Sequence, residues 1–175
     1  EFLPRFERTV AKDIRGVKST RPTKGWMMTT VAAADRLKDM PLPPAPFLSS
    51  IMQIEPQWID YNGHLNMAYY NVMFDRAIDQ MWLQLGIGPA YMQERYGSTF
   101  TAEAHVRYRR EVTIDTPLSF ATQVLDHDQK RIHVVHVMVH RETGDLIATA
   151  ELMFVHVRQS TGKVEPMPAV PLARV

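Results

Sequence analysis

The apolar positions of this chain fall into two periods. From 67 to 85, Tyr70, Met73, Phe74, Ala77, Met81 and Leu85 recur at three- and four-residue steps, which lays them on one face of a long helix. Gly86 and Gly88 with Pro89 end that pattern. From 99 to 110 the period is two. Phe100, Ala102, Ala104, Val106 and Tyr108 alternate with Thr101, Glu103, His105, Arg107 and Arg109, the pattern of a half-buried strand. Three more strands read off at 118–125, 132–141 and 146–157, separated by "DHDQKR" and "ETGD". The last two are apolar on both faces and are expected to be central and covered. Upstream, "SIMQIEPQW" at 50–58 alternates well enough for a first strand. One strand, a long helix and four antiparallel strands in a meander predict an α+β domain whose sheet curls round a single apolar helix.

The ends of the chain are different. Residues 1–40 show no sustained period, although "TTVAAADRLKDM" at 29–40 predicts a short helix capped by Thr29 or Thr30. "PLPPAPF" at 41–47 puts four prolines in seven positions and reads as an extended linker. The expected layout is a basic extension and linker over 1–47, the sheet-and-helix domain over 48–160, and a proline-broken tail over 161–175 running along the surface.

Charge sharpens this picture more than composition does. The formal net charge is +1, which advertises neither nucleic acid nor membrane as a partner. Residues 1–24 nevertheless hold seven Lys/Arg against three acids, leaving 13 bases and 16 acids for the rest. A solvated basic leader explains this without a ligand. The absence of cysteine excludes disulfides, thiolate catalysis and Cys-based zinc sites, and is compatible with a reducing cytoplasm, the expected location. No apolar run reaches the roughly 18 residues of a membrane span. The first 25 residues lack the apolar stretch of a secretory signal. They are basic and acid-poor like a transit peptide, but thin in serine. The chain opens on Glu1, as an excerpt, a processed form or a chain with added residues would, with Met27 or Met28 as a conceivable start.

Several chemistries are disfavoured. No serine sits in G-x-S-x-G, there is no P-loop, and the only Gly-x-Gly, at Gly86, follows a helix. His133, His136 and His140 look metal-like, but three-residue spacing on a strand divides them between faces, so no metal is expected. His127 in a turn and His156 near a strand end read as ordinary surface or partnered histidines. "DYNGHLN" at 60–66 is richer. Asp60 and Asn62 favour Asx-turns, Gly63 supplies positive φ, and Asn66 is a good N-cap for a helix starting at Met67. The same stretch also places Asp60 and His64 within a turn of a helix N-terminus, whose unpaired amides would stabilise a developing oxyanion. A carboxylate beside such amides suits thioester hydrolysis in a chain without a nucleophilic cysteine or activated serine. It either attacks the carbonyl or positions water, and a thiolate leaving group needs little acid assistance.

"WIDYNGHLNMAYYNVMFDRA" followed by the strands resembles the hotdog-fold acyl-CoA thioesterases of the 4-hydroxybenzoyl-CoA thioesterase type, over about residues 50–158. The shared pattern is an Asp, a glycine three residues on, and aromatics leading into a central helix, here Asp60, Gly63 and Tyr70. The Asp-x-Asn-x-His spacing of Asp60, Asn62 and His64 is also similar to that of the plant acyl-carrier-protein thioesterases of the same fold. The resemblance implies that Asp60 is the catalytic nucleophile or general base, that Asn62 and His64 orient water or thioester, and that amides near Met67 form the oxyanion hole. Met67 stands where many members carry an aromatic, which leaves the amide but alters contacts to the acyl group. The resemblance also implies a homodimer or homotetramer in which a second chain finishes the pocket, and no cofactor beyond the acyl-CoA substrate.

Coenzyme A carries phosphates, so basic residues are expected at the pocket mouth; Arg107 and Arg109 on one strand face and Lys130 and Arg131 in a turn are the candidates. Trp58, Tyr61 and Tyr70 are the expected acyl-pocket aromatics among a group that includes Tyr69, Trp82 and Tyr91. Such a lining suits an aryl ring or, through cation–π attraction, a quaternary ammonium. "QWIDYNGH" with "DHDQKRIHVVHVMVH" and "ELMFVHV" is similar to the betainyl-CoA thioesterases of carnitine breakdown, which occur alone or fused behind carnitine dehydrogenase. Two alternatives stand beside thioester hydrolysis. A hotdog hydratase or dehydratase typically has Asp and His five apart in D-x-N-P-x-H, whereas here they are four apart with Gly63 in the proline's place. A non-catalytic acyl-CoA-binding regulatory module has no evident use for the carboxylate.

Overall fold

The computed structural model describes residues 42, 45–94 and 97–175. The helix expected at 29–40 and most of the basic extension and linker lie outside them. In chain order the elements are β1 (Phe47–Leu48), a 3-10 turn (Pro56–Trp58), α1 (Met67–Leu85), α2 (Pro89–Gln93), β2 (Ser98–Tyr108), β3 (Leu118–His127), β4 (Arg131–His140), β5 (Leu146–Arg158), β6 (Lys163–Val164) and α3 (Ala169–Leu172).

Helix α1 has the expected limits because both ends carry specific stops. Asn66 is extended at φ −62° and ψ 141°, and its side chain accepts the Ala68 N–H at 3.0 Å. Gly86 takes the left-handed conformation at φ 79°. The Gly86 N–H donates to Leu83 O at 3.2 Å and the Ile87 N–H to Trp82 O at 2.9 Å, the paired bonds of a Schellman stop. Arg174 completes this end: its guanidinium donates to Leu85 O at 3.0 Å and Gln84 O at 2.9 Å. The tail expected on the surface therefore returns to the helix, and Met167 is buried in the core. Its prolines break helical periodicity without preventing packing.

The buried stripe of α1 lies on one face of the sheet. Phe74 meets Phe120 edge to face at 5.7 Å, and Trp82 meets Phe154 likewise at 5.3 Å. The strands run in the order β1-β3-β4-β5-β2, all antiparallel neighbours. This corrects the four-strand meander. Only β3, β4 and β5 follow one another, and β2 sits on the far edge against β5, reached from β3 by the connection over 109–117. β4 and β5 are central, as their two-sided apolar pattern requires.

Two further expectations change. Residues 50–58 form no continuous strand: only Met52 bridges, to Leu118, and the chain then enters the 3-10 turn. The Ser50 N–H is drawn to Gln80 Oε1 at 2.8 Å, and Pro56 has no N–H to offer a ladder. In β2 the register slips between Thr101 and Glu103. This bulge at Ala102 puts Thr101, opposite Phe154, on the helix side with Ala104, Val106 and Tyr108, and turns Phe100 to the other face, where it is 51% exposed.

Candidate active site

The stretch 60–66 is a tight, closed loop. Ile59 and Leu65 bridge across its base, the Gly63 N–H donates to Asp60 O at 3.0 Å, and the Asp60 N–H donates to His64 O at 2.8 Å. Gly63 holds φ 81°, a value that costs any residue with a Cβ, although a Cβ there would touch nothing. Asp60 Oδ1 accepts the Asn62 N–H at 2.8 Å and the His64 N–H at 3.3 Å. Its other oxygen, Oδ2, takes no hydrogen bond from the described residues. One oxygen fixes the turn and the second is left available.

The loop is pinned to the fold from both sides. The Asn66 N–H donates to Trp58 O and the Leu65 N–H to Val112 O, each at 2.9 Å. The Tyr70 hydroxyl donates to Arg110 O at 3.2 Å, tying α1 to the segment that leaves β2. At the start of α1 the Ala68 and Tyr69 amides are taken by Asn66, whereas the Met67 N–H has no acceptor among the described residues. Met67 O is also bound from the side, by Asn71 Nδ2 at 3.3 Å and the Tyr108 hydroxyl at 3.4 Å.

A cavity of about 440 Å³ opens here. It is lined by Asp60, Asn62, His64, Asn66, Met67 and Tyr70 from the loop and helix, and by Tyr108, Arg109, Arg110 and Glu111 from the end of β2. His64 Nδ1 lies 3.6 Å from Glu111 Oε2, and Arg110 lies 3.5 Å from Asp145. The Tyr70 phenol is pushed up to about 12, first by burial and then by the charges of Glu111, Tyr108 and Asp60, so it stays a neutral donor. Among the described residues no group of three or more His, Asp or Glu side chains is arranged for a metal ion.

The expected site residues divide. Asp60, Asn62, His64, Asn66, Met67, Tyr70 and Arg109 share the cavity, with Gly63 shaping the turn. Trp58 does not line it: it is 4% exposed, stacked on Tyr69 at 5.3 Å and under the Arg76 guanidinium. Tyr61, at 98% exposure, points to solvent from the tip of the turn. Arg107 lies opposite Thr149, on the face away from α1, while Arg109 falls beyond the strand end, where the Arg109 and Arg110 amides both donate to Ile147 O. The strand stops before the expected shared face reaches 109. Lys130 lies in the β3–β4 turn and Arg131 opens β4, with Arg131 Nε donating to Asp128 Oδ2 at 2.8 Å. Arg131 pairs with Val155 and Tyr108 with Ala148, so along β5 they stand about 23 Å apart. Beside Leu65, within the loop itself, the lining residues the sequence reading missed are Tyr108, Arg110 and Glu111. The one signal for them was "YRRE" closing the clearest strand.

The family model of the thioesterase-like superfamily matches residues 54–175. A betainyl-CoA thioesterase of Pseudomonas aeruginosa is 34% identical over 69% of this chain and 76% of its own length. The fused L-carnitine dehydrogenase/betainyl-CoA thioesterase of Rhizobium meliloti is 34% identical over 70% of this chain, but the match spans only 25% of that longer protein. Among solved structures, the Staphylococcus aureus protein SAV2348 in complex with CoA superposes with a TM-score of 0.69 at 23% identity, over 73% of this chain and 80% of that one. The chain belongs to the thioesterase-like superfamily, has the hotdog fold, and is a thioester hydrolase.

Proposed function

We propose that the protein hydrolyses an acyl-CoA thioester with a small, polar acyl group, betainyl-CoA foremost, to the free acid and CoA. The observation that carries this reading is the Asp60 carboxylate. Its Oδ1 is fixed by two amides while Oδ2 takes no hydrogen bond among the described residues, and it lines the same cavity as Met67, whose N–H at the positive end of α1 has no acceptor among them. In the reaction, Oδ2 attacks the thioester carbon or takes a proton from the water that attacks it. The carbonyl oxygen gains negative charge and is met by the Met67 amide; the C–S bond then breaks and CoA leaves as thiolate. On the direct route water afterwards hydrolyses the acyl-aspartyl anhydride. Asn62 and His64 position the water or thioester. No cofactor takes part in these steps. Arg109, which carries no ion pair among the described residues, supplies charge for the CoA phosphates at the mouth.

The betainyl group is favoured by the relatives at 34% identity that bear that name. For assembly we favour a homodimer or homotetramer, because β2 lies at the sheet edge with Tyr108 exposed at the cavity and Phe100 exposed on its other face. The cysteine-free composition suits the cytoplasm. The test is thiol release by the wild-type protein over aliphatic, aryl and betainyl CoA esters. Release with betainyl-CoA preferred supports the reading; a preference for another ester removes the betainyl assignment, and no release from any ester removes the function.

A further inference from the structure

The cavity carries a carboxylate that the hydrolytic steps do not use. Glu111 Oε2 stands 3.6 Å from His64 Nδ1, yet the Glu111 side chain is 74% exposed and takes no other bond among the described residues. Of the two neighbouring arginines, Arg110 is directed at Asp145, which leaves Arg109 as the arginine on this wall without an ion pair among the described residues. Next to Glu111 the rings of Tyr70 and Tyr108 meet edge to face at 5.1 Å. Tyr70 is held through its hydroxyl to Arg110 O, and Tyr108 through its hydroxyl to Met67 O and Asn71 Nδ2. This side of the cavity therefore offers an exposed anion beside a fixed aromatic pair.

We propose that Glu111 is the specificity residue that selects a cationic acyl group, its carboxylate opposing a quaternary ammonium placed one carbon from the thioester carbonyl while the Tyr108 ring packs against the methyl groups. This rests on the thioesterase reading above and goes beyond it in assigning the discrimination to one residue. With Arg109 given to the CoA phosphates and Arg110 to Asp145, the two carboxylates set the charge that the acyl group meets. An anionic acyl group is repelled by Glu111 and Asp60 together, and a neutral one gains nothing from the carboxylate. A cation gains both the Coulomb attraction and the ring face. For unit charges about 5 Å apart, effective dielectric constants of about 80 to 20 correspond to preferences of about 4-fold to 280-fold. For a carboxylate this exposed, about tenfold is the expected size.

The experiment compares kcat/KM for betainyl-CoA with that for its uncharged isostere, 3,3-dimethylbutyryl-CoA, in which carbon replaces the ammonium nitrogen. It uses the wild-type chain, Glu111→Gln and Glu111→Asp. The change in this ratio from wild type to variant isolates the charge of Glu111, because the two acyl groups share shape and leaving group and their difference in intrinsic reactivity cancels between proteins. Wild type is expected to prefer the cation, with the ratio falling about tenfold in Glu111→Gln and less in Glu111→Asp. Added salt is expected to lower the wild-type ratio and leave that of Glu111→Gln nearly flat. A ratio unchanged by Glu111→Gln overturns the proposal while leaving the betainyl reading intact. That includes the case in which both rates fall together, since Glu111 would then act only by positioning His64. A wild type with no preference for the cation removes the betainyl reading and this inference with it.

Discussion

His136 makes the fold acid-sensitive by an amount that can be worked out. It lies on β4 facing α1, fully buried, with its ring 5.5 Å from that of Phe74 and Nδ1 2.8 Å from the Thr122 hydroxyl. Burial pulls its pKa from the ordinary 6.5 down to about 3, so the folded protein keeps it neutral across the physiological range. The unfolded chain binds a proton near pH 6.5 and the folded one does not. Its contribution is thus complete above that value and is lost as pH falls towards about 3. One such proton costs about 1 kcal/mol of stability by pH 5.5 and about 3 kcal/mol by pH 4.5. The assay is urea unfolding at pH 7.5, 6.5, 5.5 and 4.5, for wild type and for His136→Gln, which keeps a polar partner for Thr122 but does not titrate. The difference between the two curves cancels the carboxylates and the other histidines. It should rise by one proton's worth per pH unit below 6.5. Parallel curves would refute the reasoning, since the folded protein would then be taking up the proton. Because Phe74 belongs to the helix that begins at the active-site loop, acid loosening at His136 should reach the site as well.

Asn66→Ala removes the side-chain acceptor of the Ala68 amide and is expected to cost about 1 kcal/mol in urea unfolding; Asn66→Asp should keep most of it. Arg174→Ala strips two charged donors from the last carbonyls of α1 and is expected to cost about 2–4 kcal/mol, with a matching fall in Tm. Arg174→Lys should restore only part, because a single ammonium cannot span both carbonyls as the fork does.

Helix α1 was legible because local chemistry agreed with pattern: its apolar stripe lies between a capping Asn66 and a left-handed Gly86. The strand pairs β3–β4 and β4–β5 were legible because each is closed by a short polar turn. The position of β2 was not, because alternation states which face of a strand is apolar and says nothing of which edge it joins. The Ala102 bulge was hidden for a similar reason, since a small residue fits either face. Within the site, Asp60, Asn62, His64, Asn66 and Met67 lie in one loop and could be read together. Tyr108, Arg110 and Glu111 reach the cavity from about 45 residues away, through the β2–β5 pairing and the Tyr70–Arg110 bond, so no spacing along the chain announced them. Trp58 and Tyr61 show what an aromatic count leaves out: three positions apart, one is core and the other is solvated.

Asp60→Asn tests the central claim most directly. Asparagine keeps an Oδ1 acceptor for the Asn62 and His64 amides, so the turn and the fold should persist, with stability within about 0.5 kcal/mol of wild type. It removes the charge on Oδ2. Thiol release from the preferred CoA ester, measured on wild type and variant at equal folded concentration, should fall by about 10²- to 10⁴-fold in kcat. A folded Asp60→Asn protein that hydrolyses the ester within about threefold of wild type would contradict the account, because Asp60 would then serve the turn alone.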